Sequence, residues 1–252
     1  MFAIERQQAI LNYIKEKKSI TVKELSKKFY IGEATIRRDL EKLENTSMIK
    51  RTYGGAILKV GLDIEVPLSI RESERKLEKD SIARLASELV NSGDTIIMDS
   101  SSTVMQMIEH IKMKTDLTVI TNGAKTATRL AEHTKFKLFS TGGRMREETL
   151  TYYGETANAF IKRFNADVVF LSCGALSMDK GITDSNEEEE SLRCLMIESA
   201  NRSVLLCDYT KFNKTSFCKI CDISDVDIII TDQKPSDMWI EYARQMNTEL
   251  IY

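Results

Sequence analysis

The sequence is short of the residues that punctuate or staple a chain. Proline occurs 2 times, tryptophan once and histidine 2 times in 252 residues. With only 11 glycines as well, collagenous and low-complexity architectures are excluded. His110 and His133 alone supply a zinc site poorly. The 5 cysteines (Cys173, Cys194, Cys207, Cys218 and Cys221) are odd in number and irregular in spacing, which argues against a disulfide framework. Cys218 and Cys221 have CxxC spacing without a companion pair and read as packing residues. No apolar run approaches the ~20 residues of a membrane span. The first stretch, MFAIERQQAILNYIKEKK, lacks the apolar block of a signal peptide. The expectation is a cytoplasmic chain with no metal, no cofactor and no membrane partner, long enough for two domains.

What is present is charge, unevenly distributed. Residues 1–60 hold 13 Lys+Arg against 7 Asp+Glu, and the remainder holds 23 against 31. A basic first quarter on an acidic body points to a polyanion-binding module attached to something else.

The first quarter has helical periodicity. Ile10, Leu11 and Ile14 share one face. Thr21 and Glu24 have the spacing of a capping box, and the helix they start buries Val22, Leu25 and Phe29. After the turn Tyr30-Ile31-Gly32, a helix with Ile36, Leu40 and Leu43 inward turns Arg38 and Lys42 outward, with Thr35 and Arg37 on its flanks. MIKRTYGGAI then reads as a hairpin with its tip at Gly54-Gly55, placing Lys50 and Arg51 to hold phosphate. Alone, an Arg-Arg pair on a short amphipathic helix is a solvated face. Cap, turn, basic face and hairpin in this order are the parts of a winged helix-turn-helix.

The stretch TVKELSKKFYIGEATIRRDLEKLENTSMIKRTYGGAI resembles the N-terminal domain of the DeoR family of bacterial regulators of sugar metabolism. TIRRDL, Leu43, Arg51 and the GGA at 54–56 carry the likeness, whereas Gly32 replaces the usual serine and Tyr53 a common histidine. The resemblance implies that Thr35, Arg37 and Arg38 enter or border the major groove, with Tyr53 touching the DNA backbone. Arginine bidentate to guanine is the commonest specific base contact, so one of Arg37 and Arg38 is the expected base reader, and the sequence does not choose between them.

Beyond Leu58 periodicity fades around Pro67, and a domain boundary is expected there. Helical spacing resumes at Ile82, Leu85 and Leu89. Short apolar strands then alternate with helices: TIIMD, LTVIT, FKLFS, DVVFLSC, SVLLCD and DIIIT. That alternation implies a parallel sheet covered on both faces, with ligands beyond the strands' carboxyl ends. Ser, Thr, Asn and Gly collect at those ends. Asp99, Ser101, Ser102 and Thr103, then Asn122-Gly123, then Gly142-Gly143 could supply anion donors, and Asp208 and Lys211 could grip hydroxyls and charge.

The resemblance extends through this body in Glu78-Lys79, TNG at 121–123, Gly142-Gly143, Gly154, GIT at 181–183, Glu189 and Asp208 with Thr210-Lys211. It implies a domain similar in fold to ribose-phosphate isomerases that binds phosphorylated sugars or related metabolites. The family's usual Gly-Thr-Thr is here Ser101-Ser102-Thr103, so an atypical effector, or an atypical affinity for it, is expected. The Asp-Gly-Ala-Asp stretch of the resembling isomerases best matches Cys173-Gly174-Ala175-Leu176, which lacks both carboxylates. Leucine cannot move a proton and a thiol of ordinary pKa substitutes poorly, so turnover is not expected. The run Glu187–Glu190 and the single acids Asp179 and Asp184 read as solvated.

The expected architecture is α/β: a winged helix-turn-helix at 1–56, a linker at 57–74, and a larger sensor domain with a mostly parallel sheet at 75–252. The expected function is sequence-specific repression at double-stranded operator DNA, relieved by a phosphorylated sugar, in a homo-oligomer. A sugar-phosphate isomerase carrying a DNA-binding arm is the alternative.

Overall fold

A computed structural model describes residues 3–17, 19–45, 49–58 and 66–252. The chain divides into two compact units, Met1–Glu74 and Arg75–Tyr252. Among the described residues no helix is long and apolar enough to cross a membrane.

The first unit contains α1 (Ala3–Lys17), β1 (Ser19–Thr21), α2 (Val22–Phe29), α3 (Glu33–Asn45), β2 (Ile49–Thr52), β3 (Gly55–Leu58) and α4 (Leu68–Ser73). The capping box forms as spaced: Thr21 Oγ1 accepts from the Glu24 N–H, and Glu24 returns a carboxylate to the Thr21 N–H. Each frees a helix start from an unsatisfied donor. Ile10, Leu11 and Ile14 of α1, Leu25 of α2, and Ile36, Leu40 and Leu43 of α3 close one core with Ile49 and Ala56. Phe29 is only half-buried and meets Tyr13 edge-on.

Two features of this unit depart from the sequence reading. The hairpin tip is Tyr53-Gly54, and Gly55 is already the first residue of β3. Gly55 is required by close approach: a β-carbon there would lie 1.9 Å from the Ile20 carbonyl of β1, a strand too short to announce itself. The sheet order is β1-β3-β2, all antiparallel. The end of the expected linker is also structured, since Ile70 of α4 packs into this core and Gln8 donates to Glu74 at 2.6 Å. Residues 59–65 of that linker, and Met48 of the hairpin reading, lie outside the described residues.

The core also holds a charge. Asp39 is 2% exposed and takes Arg6 at 2.5 and 3.2 Å and Gln7 at 3.1 Å, tying α3 to α1. The Arg6 guanidinium is raised above its ordinary pKa, chiefly by the hydrogen bond to Asp39. Asp39→Ala should strip charge-assisted bonds worth ~2–3 kcal/mol from this unit. Far-UV circular dichroism should show the first unit melting earlier. Fluorescence of Trp239, the only tryptophan, should not move, because it lies in the second unit. An unshifted dichroism melt would remove Asp39 from the frame.

The second unit contains α5 (Lys76–Ser87), β4 (Thr95–Met98), α6 (Ser102–Ile111), β5 (Thr118–Thr121), α7 (Ala124–His133), β6 (Lys137–Ser140), β7 (Arg144–Arg146), β8 (Thr151–Tyr153), α8 (Glu155–Ile161) and β9 (Val168–Leu171). It continues through β10 (Ala175–Ser177), β11 (Gly181–Asp184), α9 (Glu187–Glu198), β12 (Ser203–Leu206), β13 (Cys218–Cys221), β14 (Ile228–Ile230), α10 (Asp237–Gln245) and β15 (Glu249–Ile251). The sheet order is β15-β14-β12-β9-β4-β5-β6, and every pairing in it is parallel. Ile97, Ile120, Val169, Leu171, Leu205 and Ile229 bury one face beneath Ile161 of α8, Met196 of α9 and Trp239 of α10. Such fully buried strands read as continuous apolar runs, which is why they were legible. The antiparallel β7–β8 hairpin and the small β10-β11-β13 sheet were not foreseen; most of their strands are only three residues long.

The chain starts the sheet at β4, builds β5 and β6 to one side, and then crosses to β9, β12, β14 and β15 on the other. The strand order therefore reverses between β4 and β9, the kind of switch point at which ligands bind in open parallel sheets.

Candidate functional site

In the first unit α3 presents Arg37, Arg38 and Lys42 to solvent, with Thr35 half-buried at its start. The Gly32 carbonyl accepts from the Thr35 and Ile36 N–H groups and so begins the helix. The two arginines differ in company. Arg37 pairs with Glu33 at 3.6 Å and borders a groove lined also by Glu44, Arg51 and Thr52. No ion pair among the described residues engages Arg38, Lys42 or Lys50. Arg51 is held by Glu44 at 2.6 Å, and that same carboxylate accepts from the Arg51 N–H at 2.9 Å. That pair fixes the wing to α3. Tyr53 stands fully exposed at the wing tip.

In the second unit the β4–β9 switch point is bridged by Asp99, which is fully buried. One of its oxygens accepts from the Ser101 N–H at 2.8 Å, the other from the Ser172 N–H at 3.0 Å, so it joins the loops after β4 and β9. The guanidinium of Arg193 adds a third contact at 3.5 Å. Asp99, expected at the ligand, gives each oxygen to an N–H of the chain and so also braces the frame.

Arg193 also pairs with Asp184 at 2.9 Å and Glu189 at 3.5 Å. Arg146, from β7, reaches Glu188 at 2.8 Å and Glu189 at 3.4 Å. Asp184 and Glu189 are therefore not solvated acids, as the local sequence implied. Glu189, expected at the ligand, is buried among Arg193, Arg146 and the Thr149 hydroxyl. The cations that draw these carboxylates inward lie far away in the chain, as Arg146 does, or one turn on along α9, as Arg193 does, and a run of four glutamates does not display them.

Around this frame lies a set of polar groups. Ser101 caps α6, its hydroxyl accepting from the Val104 N–H at 3.2 Å. Lys79 of α5, although buried, donates to the Ser102 hydroxyl at 3.0 Å. Thr103 is buried beside them. Thr151 donates to the Ser100 hydroxyl at 2.8 Å, and the backbone of β8 bridges Gly123 and accepts from Asn122. The Asn122 side-chain oxygen is buried without a hydrogen-bond donor. Gly142 and Gly143 have φ of 62° and 108°, and a β-carbon at Gly143 would press on the Tyr153 carbonyl at 2.8 Å. Gly154, φ 89°, opens α8. On the other flank, Asp208 accepts from the Thr210 N–H at 3.0 Å and faces Arg75 at 3.7 Å. No carboxylate among the described residues pairs with the half-buried Lys211.

The position matched to the isomerase carboxylates holds no proton carrier. Ala175 and Leu176 are core residues, and Cys173 is buried against Cys207, whose thiol pKa is pushed well up by that contact and by burial. The exchange-prone form of cysteine, the thiolate, is thereby disfavoured. All five cysteines are free, and no metal-ligating cluster occurs among the described residues.

Comparison with known proteins accounts for both units. Residues 6–59 match the model of the DeoR-like helix-turn-helix domain, and residues 74–233 match that of the DeoR C-terminal sensor domain. The chain belongs to the DeoR family. The uncharacterized HTH-type transcriptional regulator YulB of Bacillus subtilis is 38% identical over 92% of this chain and 90% of its own. The putative aga operon transcriptional repressor of Escherichia coli O157:H7 is 32% identical over 98% and 93% respectively. A second Bacillus subtilis relative, the HTH-type transcriptional repressor GlcR, is 31% identical over 100% and 96%.

As a DeoR-family protein, this chain is a DNA-binding transcriptional regulator with a sensor domain. Its polar frame went largely unread in the sequence. Lys79 surfaced only within the Glu78-Lys79 motif, while Arg75, Arg146 and Arg193 carry no local signal that separates them from surface arginines. In the DeoR pattern Ser101 replaces a glycine, and its hydroxyl takes up an α6 N–H that a glycine would leave available.

Proposed function

We propose that this regulator represses genes of carbohydrate metabolism and is released from operator DNA by a phosphorylated sugar bound at the carboxyl ends of β4, β5, β6 and β12. The observation that carries the reading is buried Lys79 on the Ser102 hydroxyl at the start of α6, with two more cations beyond the end of β12, Arg75 facing Asp208 and Lys211. A buried ammonium at a helix start, with further cations at a neighbouring strand end, suits a phosphate dianion. Asn122, whose buried oxygen lacks a donor, suits a sugar hydroxyl. Gly142, with open space where a β-carbon would sit, leaves the backbone accessible to a close ligand beside Gly123 and Gly143, and Gly154 opens the adjoining helix. Asp208 and Lys211 close the other side. Asp99 and Glu189 set the frame instead of touching the ligand.

The mechanism is linkage: an effector that binds more tightly to the DNA-incompetent state lowers DNA affinity by no more than its differential affinity. The regulator works as a homo-oligomer, because a single reading helix makes few base contacts and pairing raises effective concentration.

Thermal shift against phosphorylated sugars, each beside its unphosphorylated parent, tests the reading. A ligand at about 100 times its Kd stabilises the folded state by ~2.7 kcal/mol. Lys211→Ala should weaken the phosphorylated ligand about tenfold or more and leave DNA binding unchanged, as expected for one charge-assisted contact. Equal shifts by sugar and sugar phosphate would sink the phosphate assignment, and an unchanged Lys211→Ala would take that residue out of the pocket.

A further inference from the structure

Between α2 and α3 the chain turns on Tyr30. Its φ and ψ are 56° and 43°, the left-handed region where a bulky side chain is strained and glycine is at ease. The turn around it is pinned. The Tyr30 and Ile31 N–H groups both donate to the Ser26 carbonyl, and the Ser26 hydroxyl donates to the Ile31 carbonyl at 2.6 Å. The ring packs on nothing: it is 96% exposed, and no hydrogen bond among the described residues engages its hydroxyl. One residue thus combines two costs, strained backbone and an aromatic ring in water, and its side chain returns nothing to the fold; a glycine would cap α2 with the same N–H. Strain of this kind persists where the side chain has work to do.

The work follows from position. In a helix-turn-helix the second helix lies in the major groove while the first crosses the phosphate backbone, so the residue joining them sits beside phosphates. Tyrosine hydroxyls are among the ordinary donors to DNA phosphate oxygens. Lys27 and Lys28, exposed in the last turn of α2, bring the positive potential that would attract the same strand. We infer that the Tyr30 hydroxyl donates a hydrogen bond to a backbone phosphate of the bound duplex, and that the left-handed turn is tolerated because it aims the ring there. The inference rests on the DNA-binding role of this unit.

The test is an anisotropy titration of the full-length protein against a fluorescent duplex of random sequence, at several salt concentrations. Tyr30→Phe keeps ring and strain but loses the hydroxyl, and should bind roughly three- to tenfold more weakly, the range of one neutral-donor hydrogen bond. Because tyrosine is uncharged and releases no counterion, the slope of log affinity against log salt should stay as in the parent. Tyr30→Gly should bind at least as weakly as Tyr30→Phe, yet melt higher by roughly 2–6 °C as strain is relieved. Opposite signs for affinity and stability are what a purely structural residue would not give. Parent-like binding by Tyr30→Phe overturns the inference, as does a Tyr30→Gly variant that loses stability together with affinity. A parent that fails to bind the duplex, with Arg38→Ala no different, overturns the DNA-binding reading itself and the inference with it.

Discussion

Arg38→Ala should lower affinity for the operator by roughly 5- to 150-fold, the ~1–3 kcal/mol of one bidentate base contact. The variant should also lose discrimination, so that operator and random DNA bind more nearly alike. The structure favours Arg38 over Arg37 for this role. Arg37 is already paired with Glu33 and leans on the groove beside the wing, whereas no ion pair among the described residues engages Arg38. An unpaired guanidinium on the exposed face of α3 reaches a base edge without first breaking an ion pair. Lys50→Ala is the control of the opposite kind. It should weaken operator and random duplex equally and flatten the salt slope by about 1, because it removes a phosphate contact. The operator is obtained by selecting tight binders from a random duplex pool, and both variants are titrated on it. An Arg38→Ala protein that keeps its sequence preference while Arg37→Ala loses it would reverse the ranking.

Arg193→Met should destabilise the second unit by about 3–5 kcal/mol, the cost of breaking a buried ion pair from one side. The arginine side chain is 5% exposed and sits against Asp99, Asp184 and Glu189. Methionine fills much of the same volume and supplies no charge, so carboxylates are left in a dry environment without their cation. Denaturant unfolding followed by Trp239 fluorescence reads this unit directly, since the only tryptophan is buried in its core. Asp184→Asn in the Arg193→Met background should recover part of the loss, because one stranded charge is removed; the double-mutant cycle measures the coupling. A parent-like midpoint for Arg193→Met would mean that the frame is held by backbone hydrogen bonds alone, chiefly those from Ser101 and Ser172 to Asp99.

Much of the first unit was legible because its determinants are local. A capping box needs only Thr21 and Glu24 on neighbouring turns, and the inward faces of α1, α2 and α3 follow from residues three and four apart. The fully buried strands of the second unit were legible for a related reason: each is an unbroken apolar run that needs no partner to be recognised. The wing was half legible. Its strands were placed, but its tip was set one residue late, because Gly55 answers to the carbonyl of Ile20 in another strand and not to the turn.

In the candidate site the polar residues were legible, and the ion pairs that hold some of them were not. Strand order in a parallel sheet puts the ligand crevice beyond the carboxyl ends, and the Ser, Thr, Asn and Gly expected to line it do collect there. Asp99 and Glu189 were read as ligand contacts, and both are also held by the protein. Composition, periodicity and motif by themselves determined two units, their helices and main strands, and the end of the sheet at which Ser, Thr, Asn and Gly collect. Only the tertiary structure decided which charges are spent and which are free. Pairing acts over a few ångströms between groups such as Arg193 and Asp99, which are far apart along the chain and meet only when the sheet has brought β4, β9 and α9 together.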